Sequence, residues 1–383
     1  MKKTIATVLV GILVLSTLSG CTNISTQTKT EGQKIYKIGV IAPLSWPAAN
    51  YWEDAINAYK FIVNKFNAEN SGKMTIDLVV EDGKCDGKAS SSAAQKLVTI
   101  DKVQVIVGWF CSAETIAAGK IAQPNNVVMI SPVSSSPEIA NIWEYIFRFY
   151  NDDYVTKKLS NYITSMWANK IFVIAENTDV AIWFLNGMET HFTGKIESQT
   201  YQKEEKDFLM IAKQIKTKIK ESDFLIFLPS SDLSTIWIID ALDKEWILTM
   251  MKWRIASNEI VNSTNSYKTL WSKLDGIKTT QLVNLWALPS SATNLTQEML
   301  KQFTINTDAL FSVLEADAMS LAIDAIKQVG NNGESIKNYF TSFDAKNPRK
   351  WYFGDYYFTP QRDAHGLNFL VYEIQDWQLV NWK

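Results

Sequence analysis

The stretch of sequence that decides the fold runs from Val105 to Glu138. Residues 105–115 read VIVGWFCSAET, residues 127–138 read VVMISPVSSSPE, and a polar segment lies between them. Two short runs rich in β-branched residues, 103–107 and 127–130, are each bounded by turn residues, which is typical of buried parallel strands. We therefore predict two parallel strands of an α/β sheet here, with a helix over residues 115–122.

Both predicted strands end in loops that carry hydroxyl groups. Ser112 follows the first strand, and Ser134, Ser135 and Ser136 follow the second. Ligands of open α/β sheets lie outside the carboxyl ends of the strands, and a helix that begins there offers free backbone N–H groups to an anion. This pattern predicts a site for a small anion or zwitterion. The alternative is that these serines only cap the helices that follow them.

Strands and helices alternate in two blocks along the rest of the chain. The predicted strands cover residues 35–41, 76–81, 103–107, 127–130, 145–149, 171–175, 224–228 and 253–256, with 280–287 as a strand or crossover. The predicted helices cover residues 55–67, 91–100, 115–122, 154–166, 181–191, 207–219, 235–244 and 315–328. Residues 356–360, 368–375 and 379–381 are predicted as antiparallel strands. Two such blocks, in a chain too long for one core, predict two doubly wound α/β lobes.

Three segments carry a resemblance to one family. Residues 38–51 read IGVIAPLSWPAANY, residues 80–86 read VEDGKCD, and the third segment is the one quoted above. In order and spacing they resemble the branched-chain amino-acid-binding proteins, which are type 1 periplasmic solute-binding components of ABC importers. The resemblance covers nearly all of the chain after residue 34. It implies two Rossmann-like lobes joined by a three-crossover hinge, with residues 35–149 and 287–345 in lobe 1 and residues 150–286 and 346–383 in lobe 2.

The resemblance also implies a set of ligand-binding residues in the first lobe. Ser112 and the turn of Val133, Ser134 and Ser135 match the family's site for the charged end of an amino acid. Tyr51 matches an aromatic residue that covers the ligand side chain. The alternative for Tyr51 is a core tyrosine of the first helix.

The match is weaker in the second lobe. Glu259 aligns with an acidic residue that receives the ligand's ammonium group, although an exposed surface glutamate is the alternative. The family's second-lobe tyrosines fall at Val180 and Ser230, which are not aromatic. A specificity for leucine therefore cannot be transferred to this chain.

The first 34 residues read as an export and anchoring segment. Residues 1–20 combine two lysines, a short apolar run and small residues, which is typical of a signal peptide. The sequence LSGC at residues 18–21 matches a bacterial lipobox, which predicts lipidation of Cys21. An ordinary cleaved signal with an incidental cysteine is the alternative. Residues 21–34 are rich in polar residues and read as a flexible tether, so we expect an extracytoplasmic protein held at the membrane by its lipid.

Cys85 and Cys111 are the two cysteines left after Cys21. One remaining pair in an exported chain suggests a disulfide, with two inert buried thiols as the alternative. Each of the two cysteines follows a predicted strand, so neighbouring strand ends could bring them together. The bridge would then fix the Ser112 loop.

Composition and motifs argue against several other functions. The net charge is −2 with both signs scattered, so nothing suggests a nucleic-acid partner. His191 and His365 are the only histidines, and no metal-binding spacing, phosphate loop or nucleophile motif is present. We place His365 in the turn of a terminal hairpin. We therefore expect no enzymatic activity, no cofactor and no metal.

Tryptophan is unusually frequent and glycine unusually rare. The chain holds 14 tryptophans and 16 glycines in 383 residues, so glycine makes up 4.2% against a usual ~7%. Trp167 and Trp246 follow predicted helices and Trp377 follows Asp376 between two strands, where glycine is preferred. We hypothesise that most of these tryptophans are glycines in the source organism, which would read UGA as glycine. A genuinely tryptophan-rich protein is the alternative. Trp46, Trp52, Trp109 and Trp183 also fall where the resembled family carries glycine.

These observations favour a binding protein. We expect a monomeric, lipid-anchored receptor that captures a small amino acid, or a related zwitterion or amide, and delivers it to an ABC permease. The alternative is a ligand-sensing or envelope-regulatory lipoprotein on the same fold without transport, because fold does not fix function.

Overall fold

A computed structural model describes most of the chain after the export segment. The described residues are 33–45, 49–108, 111–140, 144–150, 152–202, 205–281, 289–305, 309–352, 354–366, 370–376 and 378–381. The predicted signal peptide, Cys21 and nearly all of the tether lie outside the described residues. Among the residues described, no helix combines the length and apolar character needed to cross a membrane.

The first sheet has five parallel strands in the order β2-β1-β3-β4-β5. They are β1 Lys34–Ala42, β2 Met74–Asp82, β3 Val105–Gly108, β4 Val128–Ser131 and β5 Ile146–Arg148. The strands β3 and β4 are buried along their whole length, as their apolar runs predicted. They pair in parallel with Val105 opposite Val128, so their carboxyl ends lie side by side.

Six helices belong to this part of the structure: three alternate with its strands, and three come late in the chain. They are α1 Ala49–Glu69, α2 Gly87–Thr99, α3 Ser112–Ala122, α10 Ser290–Leu300, α11 Ala309–Val329 and α12 Gly333–Thr341. The long helix α11 packs against α1 and against strands β3 and β4, and α12 packs against β4. The late part of the chain therefore returns to the first sheet.

The second sheet has seven strands in the order β15-β14-β10-β9-β8-β6-β7. They are β6 Lys170–Glu176, β7 Lys195–Tyr201, β8 Phe224–Leu228, β9 Ile255–Ser257, β10 Lys278–Gln281, β14 Leu370–Gln375 and β15 Gln378–Asn381. Strands β6 to β10 are parallel, and β14 and β15 join them antiparallel. The terminal strands were predicted as antiparallel, and that prediction is confirmed.

Further helices lie between the strands of the second sheet. They are α4 Asp152–Ser165, α5 Asp179–His191, α6 Phe208–Lys216, α7 Asp232–Lys244, α8 Ile247–Met250 and α9 Thr264–Leu270. Apolar residues of α6 and α7 form a buried cluster with strands of this sheet. The predicted α/β fold class, with two sheets of parallel strands and intervening helices, is confirmed.

A small antiparallel sheet lies near the end of the chain. It consists of β11 Arg349–Trp351, β12 Gly354–Phe358 and β13 Ala364–His365. We predicted that His365 lies in a hairpin turn, and this is wrong: His365 pairs with Tyr357 across two strands, and the rings of the two residues stack with centroids 5.0 Å apart. The intervening turn is closed by Thr359 and Asp363, which hydrogen bond through their backbones.

Seven of the described strands and α-helices were not predicted: β7, β11, β13, α8, α9, α10 and α12. Strand β7, with the sequence KIESQTY, lies at the edge of the second sheet. Most of its side chains are exposed or partly exposed, so it has no apolar run that sequence could reveal. Helices α9, α10 and α12 are short and carry few apolar residues, so their period of 3.6 is hard to read from sequence.

Candidate functional site

Hydrogen bonds join the loops that follow strands β3 and β4. The backbone N–H of Ser136 donates to Ser112 Oγ at 3.1 Å, and the hydroxyls of Thr115 and Ser134 lie 2.6 Å apart. Within the second loop, the N–H of Ser134 donates to Ser131 Oγ at 3.0 Å. The structure therefore brings the predicted residues Ser112 and Ser134 to one edge of the sheet and ties their loops together.

The predicted first-lobe residues differ in how far their side chains are already engaged. Ser134 is fully buried, and both its hydroxyl and its backbone N–H are engaged within the protein. Val133 and Ser135 keep 7% and 8% of their surface exposed. Among the described residues, the hydroxyl of Ser135 has no hydrogen-bond partner. Tyr51 lies in α1, but its side chain is outside the described part of the structure.

A disulfide joins Cys85 to Cys111, whose Cα atoms are 5.5 Å apart. Cys111 is also the N-cap of helix α3, and its side chain accepts no capping hydrogen bond because its sulfur is in the bridge. The first N–H groups of an α-helix have no partner within the helix, and they carry the positive end of its dipole. The N-terminus of α3 thus presents donors beside Ser112.

A buried carboxyl group lies behind the disulfide. Glu114 Oε1 accepts the N–H of Cys85 at 2.9 Å, and the side chain is fully buried. A Cβ atom at Gly83 would lie 2.1 Å from this oxygen, so a larger residue there would force the Glu114 side chain to move. Burial raises the pKa of the Glu114 carboxyl to about 8, and the negative charges of Asp82 and Asp86 act in the same direction. The protonated form is therefore favoured at neutral pH.

A buried ion pair lies behind the second loop. The Arg148 guanidinium pairs with Asp363, and its Nη1 donates to the carbonyl oxygens of Ser135 and Ser136, the first at 3.2 Å. Arg148 keeps 1% of its surface exposed and Asp363 keeps 5%. We did not predict either residue. The available signal was a single charge inside the apolar run of residues 145–150, because a buried arginine is normally paired.

The second sheet also carries polar residues at the carboxyl ends of its strands. Glu259 begins a short 3₁₀ helix after β9 and is half-buried, and Ser230 follows β8. Asn258 Nδ2 donates to the carbonyl of Pro229 at 2.9 Å, which ties the ends of β8 and β9 together. Val180 lies in α5, but its side chain is outside the described residues.

Sequence reasoning missed one further acid at this second edge. Glu176 ends strand β6, keeps 2% of its surface exposed, and its Oε1 has no hydrogen-bond partner among the described residues. The hydroxyl of Tyr201 lies beside it, and burial followed by the charge of Glu176 raises the pKa of that hydroxyl. Within the described ranges, no group of three or more histidines, cysteines or acids is arranged to hold a metal ion.

Comparison with known proteins identifies the family. The family model described as periplasmic binding protein matches residues 35–237, which is more than half of the chain. The chain therefore belongs to the periplasmic binding protein family, whose members are extracytoplasmic solute-binding proteins. The expected class of protein is confirmed, and so is the expectation that it is not an enzyme.

Two relatives are similar over part of the chain. The leucine-specific-binding protein of Salmonella typhimurium is 27% identical over 150 residues, which is 39% of this chain and 38% of the relative. The Leu/Ile/Val-binding protein of Escherichia coli K12 is 28% identical over 123 residues, which is 32% of this chain and 33% of the relative. The matched regions thus span 38% and 33% of the length of these relatives.

Solved structures extend the likeness of the fold to nearly the whole chain. The branched-chain amino acid substrate-binding protein LivJ of Streptococcus pneumoniae, in complex with isoleucine, has a TM-score of 0.77 at 19% identity and covers 90% of this chain and 98% of its own. An ABC-transporter solute-binding protein of R. palustris, in complex with 4-hydroxybenzoate, has a TM-score of 0.77 at 19% identity and covers 91% and 96%. At this identity the likeness shows the fold alone.

Proposed function

We propose that this chain captures a small carboxylate-bearing solute, in the first place an amino acid, and delivers it to an ABC permease. The observation that carries this proposal is the hydrogen bond from Ser136 N–H to Ser112 Oγ, which holds two loops of donors at one edge of the first sheet. Hydroxyl groups and free helix N–H groups are the donors that a carboxylate needs.

The solute's carboxylate binds, in this proposal, between Ser112 and Ser135. Ser112 Oγ already accepts the N–H of Ser136, so its proton can point toward the solute. The hydroxyl of Ser135 and the first N–H groups of α3 complete the set of donors. Burying a carboxylate is costly unless its oxygens are fully hydrogen-bonded, which explains why several donors converge.

The second edge decides between two classes of carboxylate. Isoleucine and 4-hydroxybenzoate, the ligands of the two structures named above, share a carboxylate, but only the amino acid carries an ammonium group. Glu259 supplies a carboxylate that would pair with an ammonium group and would repel a second anion. We therefore favour an amino acid or a related zwitterion over an aromatic acid.

Closure of two lobes completes the proposed mechanism. Lobe 1 consists of residues 35–149 and 287–345 and lobe 2 of residues 150–286 and 346–383. The solute binds first to lobe 1, and contacts from lobe 2 then favour the closed form, because a ligand shifts such an equilibrium only through contacts that differ between its two states. A lipid on Cys21 anchors the monomer to the outer side of the cell membrane, where the permease receives the solute.

A thermal-shift screen tests the proposal. L-leucine, L-isoleucine, L-valine, the corresponding amides and 4-hydroxybenzoate are each added to the chain without residues 1–20. A bound solute at a hundred times its Kd stabilises the protein by about 2.7 kcal/mol and raises the melting temperature. We expect the largest shift from an amino acid. Failure of every carboxylate to shift the melting temperature would contradict the proposed ligand class.

A further inference from the structure

We propose that Arg148 is a positioning residue for the solute, an inference that rests on the proposed function. Its guanidinium donates hydrogen bonds to the carbonyl oxygens of Ser135 and Ser136 from the buried side of the loop. The same loop has the N–H of Ser136 engaged with Ser112. With these groups engaged, the peptide plane between Ser135 and Ser136 has a fixed orientation, and Ser135 keeps its hydroxyl available at the edge.

The position of Arg148 is itself fixed by the end of the chain. Its side chain pairs with Asp363, and its backbone N–H donates to the carbonyl of Arg362 at 3.1 Å. Asp363 in turn hydrogen bonds to Thr359 through both its N–H and its carbonyl. The loop of Ser134, Ser135 and Ser136 is thereby coupled to the turn between β12 and β13, more than 200 residues away in sequence.

Two measurements on Arg148→Lys test this role. Lysine keeps the charge that faces Asp363 but cannot reach an acid and two carbonyls together, because it lacks the planar fork of arginine. We expect the Kd for L-isoleucine to rise about tenfold, because a loop that is not held in its binding orientation must be ordered when the solute binds. Hydrogen exchange of the Ser134 and Ser136 amides in the free protein should quicken about fivefold.

Arg349→Lys is the matched control. Arg349 pairs with Asp324 at 2.6 Å in a more exposed ion pair, and among the described residues no hydrogen bond or ion pair joins it to Ser134, Ser135 or Ser136. A purely structural role for Arg148 would lower the melting temperature in both variants and leave both Kd values at the wild-type level. Unchanged exchange of the two serine amides in Arg148→Lys would overturn the inference even if no probe binds. Absence of binding by the wild type would count instead against the proposed function.

A second inference rests on backbone angles and is independent of the site. Ten non-glycine residues among those described have positive φ, and four of them are tryptophans. The four are Trp167, Trp246, Trp253 and Trp271, with φ of 59°, 64°, 75° and 51°. Their side chains are 88%, 70%, 41% and 61% exposed. Trp253 is the least exposed of the four, and the ammonium groups of Lys252 and Lys278 lie 5.2 and 5.1 Å from its ring centroid. A positive φ is strained for a bulky residue whatever its packing. We infer that these four positions are glycine in the protein made by its own cell.

The local hydrogen bonds at these positions are those of glycine turns. After α4, the N–H of Trp167 donates to Thr164 and that of Ala168 donates to Ile163, at 3.0 and 3.4 Å. This is the Schellman pattern, with Trp167 at the position where glycine is usual. Trp246 follows α7 in the same left-handed conformation, and its N–H donates to the carbonyl of Asp243.

Trp271 gives the strongest case of the four. Its φ of 51° and ψ of −132° lie in a region that residues with a Cβ atom scarcely enter. Trp52 and Trp183 give no such signal, because they lie within α1 and α5. Trp109 and Trp377 lie outside the described residues.

Mass spectrometry of the protein isolated from its source organism tests this second inference. Peptides that span the four positions should be lighter, at each, by the difference between a tryptophan and a glycine residue. Tryptophan in these peptides would overturn the inference and leave an exposed aromatic surface instead. In recombinant protein, Trp246→Gly should raise the melting temperature by a few degrees. Trp246→Ala should not, because alanine keeps the strained φ, and an equal gain from alanine would count against strain.

Discussion

The carboxyl edges of the two sheets are built in different ways. At the first edge, two loops are tied to each other through Ser112, Ser134 and Ser136, and buried charges hold them from behind. At the second edge, separate hydrogen bonds made by Asn258, Tyr201 and Asn177 tie strand ends in pairs. Two acids, Glu176 at the end of β6 and Glu259 after β9, lie at the ends of its strands. In our proposal the first edge supplies hydrogen-bond donors held in place from behind, and the second edge supplies negative charge. Three changes, taken from the largest expected effect to the smallest, test this difference.

The largest effect concerns the buried Glu114 of the first edge. Its pKa of about 8 lies above the ordinary value of 4.5, because burial disfavours the charged form. Between these two values the unfolded chain ionises while the folded chain keeps its proton, so stability falls as pH rises from 4.5 to 8. Glu114→Gln cannot ionise. We expect it to match the wild type near pH 5 and to exceed it by up to about 4 kcal/mol at pH 8.5.

Urea unfolding at several pH values, with the disulfide intact, measures this difference. Glu138→Gln is the control, because Glu138 is exposed and lies near the same loops. The account of a neutral, buried Glu114 is wrong if the difference between wild type and Glu114→Gln does not change with pH.

The next effect concerns the disulfide of the first edge. Replacing Cys85 and Cys111 by alanine should lower the free energy of unfolding by about 3 kcal/mol, because the bridge closes a loop with a sequence separation of 26. Hydrogen exchange should also quicken in the first turn of α3 but not in strands β6 and β8. If hydrogen exchange quickened equally in α3 and in strands β6 and β8, the disulfide would stabilise the whole chain rather than the first edge in particular.

The smallest effect concerns the acids of the second edge. Glu259→Gln should weaken binding of L-isoleucine by about 1–2 kcal/mol and should leave binding of 4-hydroxybenzoate unchanged or improved. Calorimetric titration of both solutes measures this. Glu221→Gln, at an exposed position before strand β8, is the control. Equal weakening for both solutes would assign Glu259 to folding rather than to the ammonium group.

The fold could be predicted from sequence to a large extent because its strands are apolar and local. The runs before Ser112 and Ser134 are β-branched and bounded by turns, and each became a fully buried strand. Edge strand β7 escaped prediction because a polar strand has no such run. The return of α11 to the first sheet came from the resemblance, since no periodicity reveals where a helix packs.

Of the candidate site, only the residues that follow two neighbouring strands in sequence could be predicted. Ser112, Ser134 and Ser135 follow predicted strands, so their common edge could be expected. The pairing of Arg148 with Asp363 joins residues 215 positions apart, and no pattern in either segment points to the other. Glu114 lies on a helix, and its pairing with the backbone of Cys85 depends on a loop conformation that sequence does not give.

The central claim is that the hydroxyls of Ser112 and Ser135, at the first edge, donate hydrogen bonds to the carboxylate of a small solute. Calorimetric titration of L-isoleucine into the double variant Ser112→Ala, Ser135→Ala tests it most directly. The control removes two exposed helix hydroxyls, Ser92 and Ser342, which bond only to their own helices. We expect the double variant to bind more weakly than wild type by ~2–4 kcal/mol, and the control to bind as wild type does. Equal affinity of all three proteins would contradict the claim.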